Sequence, residues 1–140
     1  MFDLYFKDNF VAIYYNKELR LGKAIWNGQL SGAEFREATL LCLDLIDRYE
    51  LSGWLGDDRN MQSILPADLQ WSLEVFVPRI VAGSVLRLAL LPSVFKENQQ
   101  AMEVMHEKRN KLGQQLVIRE FAHEQDALAW LLEPVATQHT

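Results

Sequence analysis

A chain of 140 residues fits one domain and can bury a core without disulfides or metals. Its composition, 49% hydrophobic and 24% charged, excludes a disordered chain. The net charge of −5 argues against nucleic acid or an anionic membrane as the main partner, since both ask for a basic footprint. A single cysteine, Cys42, rules out an intramolecular disulfide and fits a reducing compartment. The opening MFDLYFKDN is acidic early and has no long apolar run, so no signal peptide is expected there. Nowhere do about 18 apolar residues follow one another, so no spanning helix or stable membrane insertion is expected, and the expected location is the cytoplasm.

In chain order, residues 10–15 (FVAIYY) are β-branched and aromatic and predict a strand. Asn16, Lys17 and Glu18 form a polar turn, and residues 19–26 (LRLGKAIW) predict the second arm of a hairpin. Ser31 with Glu34 three residues on has capping-box spacing and opens a helix to about Tyr49. Phe35, Ala38, Cys42, Leu45, Ile46 and Tyr49 share its apolar face, while Leu40 and Leu43 project away from that stripe. Residues 54–57 read as a short strand ending in a polar loop, DDRNMQS. Pro66 suits the first turn of a second helix towards Ala82, which Pro78 should kink. Residues 85–91 (VLRLALL) predict a strand covered on both faces. Ser93 can cap a third helix, from Val94 to about Lys111, with Gly113 just past its end and Val94, Ala101, Met102 and Met105 inward. Residues 116–121 predict the last strand, and residues 126–132 lie in a final helix that Pro134 stops. The order ββαβαβαβα implies an α/β domain, a mixed and mostly parallel sheet flanked by helices. Residues 1–133 form that domain and residues 134–140 a flexible tail.

Few residues offer chemistry. Cys42 sits on an apolar helix face, where a small buried hydrophobe is the ordinary role. His106, His123 and His139 have no ligand spacing to one another, so no metal is expected. No Gly-rich dinucleotide turn or phosphate loop follows a strand, and no cofactor is expected. Asp57 and Asp58 stand at a strand end, where ligands sit in open α/β sheets. They read as an acid–base or cation site, or as loop organisers, one paired with Arg59 and the other solvated. Ser63 is either a modifiable hydroxyl or a helix-start serine. On the second helix Leu69, Leu73, Phe76, Val77 and Ile80 form the core stripe. Trp71, Val75 and Pro78 fall on the opposite face. A tryptophan there calls for a partner, an apolar ligand or cover from another element.

The opening hairpin, the strand exit IWNGQLSGAEFREA, the strand–loop LGDDR, the helix start ILPADLQW and the closing FAHEQDALAWL together carry a resemblance. From about Phe10 to Leu132 the chain resembles the STAS superfamily, and more narrowly its SpoIIAA-like, anti-sigma-factor-antagonist-like branch. The resemblance implies a STAS-like single domain of bacterial origin acting as a non-enzymatic regulatory or protein-interaction module. Antagonists of that branch carry a phosphorylatable serine preceded by aspartate at the start of the second helix. Here the stretch reads DDRNMQS, without an Asp-Ser pair, so the serine phospho-switch is expected to be missing. The expected interaction surface is Asp57, Asp58, Arg59 and Ser63 with Trp71 and Val75. A protein partner is expected, and outward apolar helix faces offer a route to a symmetric homodimer. The alternative is a small apolar-ligand or lipid carrier, with Trp26, Trp54, Trp71 and Phe76 available to line a pocket.

Overall fold

The computed structural model describes residues 1–113 and 115–134. The expected tail at 134–140 and His139 therefore fall outside the described residues, apart from Pro134. Six strands and the helical segments between them run in the order β1 (Asp3–Lys7), β2 (Val11–Asn16), β3 (Leu21–Gly28), α1 (Gly32–Tyr49), β4 (Gly53–Met61), α2 (Pro66–Trp71), a π turn (Ser72–Phe76), α3 (Val77–Ala82), β5 (Arg87–Leu91), α4 (Lys96–Leu112), β6 (Val117–Glu120) and α5 (Glu124–Leu132). All six strands join one sheet in sequential order, with β1, β2 and β3 antiparallel and β3 to β6 parallel. The mixed, mostly parallel sheet is the expected one, with β1 added. That strand, DLYFK, is a half-exposed edge whose charged ends hide its period.

Sequential parallel strands with right-handed crossovers put every crossover helix on one face. Two cores follow. The larger lies between the sheet and α1, α3 and α4, and takes Trp54, Leu88 and Leu90 from the strands. The smaller lies on the other face, where α5 places Ala127, Trp130 and Leu131 over Leu21, Leu55, Ala89 and Leu91. β5 is thus covered on both faces, as its apolar run implies.

Several local expectations change. Ser31 stands at the N-cap of α1 but its side chain makes no capping bond. The carboxylate of Asp68, arriving from α2, accepts the Gly32 N–H instead, at 3.0 and 3.2 Å to its two oxygens. Leu43 is buried in the core rather than projecting from it, and Leu40 is half-buried. Val94 lies outside α4 and is 74% exposed, while Ala101 and Met105 are buried as expected. Ser93 neighbours that helix without capping it: its Oγ donates to the Met61 carbonyl and accepts from the Phe95 N–H. Pro78 does not break the second helix. The backbone widens just before it, the Val77 N–H donating to the Ser72 carbonyl five residues back.

Candidate functional site

β4 runs through Met61, so Asp57, Asp58 and Arg59 are strand residues and not a loop. DDRN reads as polar loop, but a central strand can carry such residues when each finds its own environment. Successive side chains on a strand point to opposite faces, and this separates the two aspartates. Asp57 shares the α5 face with Leu55 and binds Arg59 through two bonds, Nε to Oδ1 at 2.9 Å and Nη2 to Oδ2 at 2.8 Å. The Arg59 backbone N–H also donates to Asp57 Oδ1. Of what was expected of this pair, the pairing with Arg59 is found for Asp57, within a strand and not a loop.

The other aspartate is not solvated. Asp58 is buried and faces the helices, beside a register shift in the β3–β4 pairing between Ile25 and Asn27. It lines a cavity of about 100 Å³ between the sheet and α1, the π turn and α4. The cavity opens to the surface. Its walls are apolar: aromatic rings from Trp26, Phe35, Trp54 and Phe76, and sulfur from Cys42, Met61, Met102 and Met105. Every sulfur in the chain except that of Met1 lines this one space. Thioethers are polarisable and flexible, so these walls adapt to what enters.

The cavity exists because β4 has no side chain at its centre. Gly56 stands between Trp54 and Asp58 on the cavity face, and a Cβ there would meet only Leu90 Cδ1 at 3.5 Å and Asp58 Oδ1 at 3.8 Å. Burial first, and the charge of Asp57 second, push the Asp58 carboxyl up to about 7. Burial, reinforced by Asp58, holds the Cys42 thiol far above its ordinary range. Cys42 is therefore a poor nucleophile, and its role is a wall. The hydroxyls on the lining are already committed, Thr39 Oγ1 donating to the Phe35 carbonyl and Ser72 Oγ to the Asp68 carbonyl. A neighbouring polar hollow of about 200 Å³, with Asn98, Glu103, His106 and Glu120 on its walls, shares Leu90 and Met102 with the first. Burial lowers the pKa of His106.

The expected interaction surface is dispersed. Asp57 and Arg59 lie on the α5 face, Asp58 is inside, and Ser63 is half-buried in the loop before α2, its carbonyl accepting from Gln29 Nε2. Trp71 is half-buried, edge-on to Phe35 of α1 with ring centroids 6.2 Å apart, and Val75 is half-buried as well. Phe35 thus covers part of Trp71, and the rest of the ring is exposed. Of the four aromatics named for a pocket, Trp26, Trp54 and Phe76 line the cavity and Trp71 does not, its place being taken by Phe35. Phe35 was legible as core only. What marks it as cavity wall is that it lines the same space as Gly56, which no periodicity reveals.

No family model matches the chain, and no curated protein matches it. Among solved structures, a protein of the DUF3478 family from Shewanella loihica PV-4, described as having a SpoIIAA-like fold, superposes with a TM-score of 0.52. The match covers 94% of this chain and 92% of that one at 15% identity. Among the described residues, no helix is long and apolar enough to cross a membrane. With its sequential six-stranded sheet, crossover helices on one face and near-complete overlap with that structure, this chain has a SpoIIAA-like fold.

Proposed function

We propose that this chain is a non-enzymatic binding module that takes a small, mostly apolar ligand into the cavity beneath α1. The observation that carries this reading is the cavity itself. Native cores are close-packed, with few voids larger than a water. A space of about 100 Å³, open to the surface and walled by four aromatic rings, is apolar where the neighbouring hollow is polar. Ligand sites are concave, mostly apolar and carry few polar groups. Here the second catalytic group that an Asp58 enzyme would need is missing from the lining, because Thr39, Ser72 and Cys42 are committed or inert. The module would serve a bacterial, cytoplasmic sensing or carrying role without a serine phospho-switch.

The test is NMR titration of the whole chain with xenon and short alcohols. Saturable shifts are expected at the Trp26 and Trp54 indole N–H groups and the Met102 and Met105 methyls, and Gly56→Val is expected to remove them. Shifts that scatter over the surface, or that never saturate, would sink the reading.

A protein-docking module is the second reading. It is favoured by Leu65, Val94 and Phe95, which are exposed in the loops after β4 and β5. The loop after β5 is tied to the end of β4 by the Ser93 Oγ bond to the Met61 carbonyl, and the loop after β4 to α4 by the Asn98 Nδ2 bond to the Gln62 carbonyl. The carboxyl ends of parallel strands are where partners dock. Pull-down with a chain carrying Leu65→Ser and Phe95→Ser should lose any partner held by the parent. Undiminished capture would remove this surface from consideration.

A further inference from the structure

Asp58 narrows the ligand class, in an inference that rests on the cavity reading above. The residue is 6% exposed and lines the cavity. Among the described residues, no hydrogen bond or ion pair ends on its carboxyl. The nearest cation in sequence, Arg59, is held by Asp57 on the other face of the sheet. A buried carboxyl without a partner is costly and rare. The carboxyl meets the cavity beside Gly56, where no side chain fills the space: a Cβ added there would lie 3.8 Å from Oδ1.

The remaining walls select among partners. Aromatic faces attract cations, and Trp26, Phe35, Trp54 and Phe76 line the same space. An anion would be repelled by both Asp58 and the ring faces. A hydrocarbon would leave Asp58 unpaired, and an alcohol would supply a hydrogen bond without the opposite charge. We propose that the cavity takes a small primary amine, its ammonium on Asp58 and its apolar end among the aromatic and methionine side chains. Folding has already removed most of the residue from water, at 6% exposure, so pairing the carboxyl on binding repeats little of that cost. On the scale by which a cavity of about 150 Å³ takes benzene, this one encloses about four non-hydrogen atoms. A longer amine would leave its end at the opening.

NMR titration at pH 8 with n-propylamine, 1-propanol, propionate and xenon separates the possibilities. Propylamine keeps its proton to about pH 10, as lysine does. It is expected to bind at least about tenfold more tightly than propanol, the size of effect a charge-assisted bond supplies. Propionate is expected not to bind. In Asp58→Asn the amine and the alcohol should come within about twofold of each other, since an amide offers no charge to pair. If xenon and propanol occupy the cavity and propylamine binds no better than propanol, the amine assignment is overturned while the cavity reading stands. If no probe, xenon included, gives a saturable shift, both fall. The amine-against-alcohol comparison in the unaltered chain decides the question even if Asp58→Asn does not fold.

Discussion

Two glycines on one face of the sheet have opposite jobs. Gly22 of β3 pairs in register with Trp54, and the indole ring lies over it. A Cβ at 22 would sit inside that ring and 2.9 Å from Leu51 Cδ1. Trp54 is 6% exposed and has nowhere to retreat except the cavity. Gly56 is the reverse, because an added methyl there meets only ordinary contacts. Gly22→Ala is therefore expected to cost about 2 kcal/mol, as overpacking of a core does. Gly56→Ala should add about 0.5 kcal/mol by restricting the unfolded chain. Urea unfolding followed by tryptophan fluorescence measures both. Equal effects of the two changes would show that the ring does not lie over Gly22.

At the scale of elements, α1 and α2 are fastened by a cap that one segment lends to the other. Asp68 is 2% exposed, accepts the Gly32 N–H and lies 3.6 Å from the Arg36 Nε. Gly32 suits this start, since its φ of +62° is one a side chain rarely adopts. Asp68→Ala should cost about 2 kcal/mol, the upper range for a lost cap, because the buried Arg36 Nε loses its neighbouring carboxylate as well. Hydrogen exchange would then speed up at the first turn of α1 and leave its last turn unchanged. Uniform loss of protection along the helix would mean that Asp68 does not act as its cap. The same region explains why Trp71 falls on the wrong side of a regular wheel although Leu69, Leu73, Phe76, Val77 and Ile80 pack on the core as expected. Its buried positions, Asp68, Ser72, Val77 and Ile80, are separated by four, five and three residues. The step of five is the π turn, which rotates everything before it away from a regular wheel. A 3.6-residue period drawn through Leu69, Leu73 and Phe76 therefore puts Trp71 in solvent, when Phe35 covers part of it. Asp68 of α2 and Ser72 of the π turn, buried polar residues that a hydrophobic pattern skips, share the inner face with that stripe.

For the whole molecule, the alternation of strands and helices was legible because each long apolar run is covered by one crossover. The site was less so. DDRN looks like a loop by composition, and only the pairing with β3 shows that it is strand, with one aspartate on each side. That division gives the molecule a pH dependence of definite sign. Asp58 is raised from 3.8 to about 7, by burial first and the charge of Asp57 second. The folded chain thus holds this proton more tightly than the unfolded chain does. Between about pH 4 and pH 7 the native state binds more protons, so the contribution of Asp58 to stability falls as pH rises through that window and is level beyond it. At about 1.4 kcal/mol per pH unit, the full loss is of order 4 kcal/mol. Cys42, the other titratable group on the cavity wall, keeps its proton throughout this range, and Arg59 keeps its charge. Comparing the unaltered chain with Asp58→Asn cancels the groups they share. The variant should be the more stable by about 3–4 kcal/mol at pH 8, and the two should converge within about 1 kcal/mol at pH 4. Parallel stability curves across that range would mean that Asp58 keeps its charge at no cost, and that the cavity is wet enough to solvate it. If the curves converge at acid pH as expected, adding propylamine at pH 8 should lift the unaltered chain towards the variant and leave the variant in place. A ligand that binds only the folded state stabilises it in proportion to its affinity, and here the affinity depends on the carboxylate that the variant lacks.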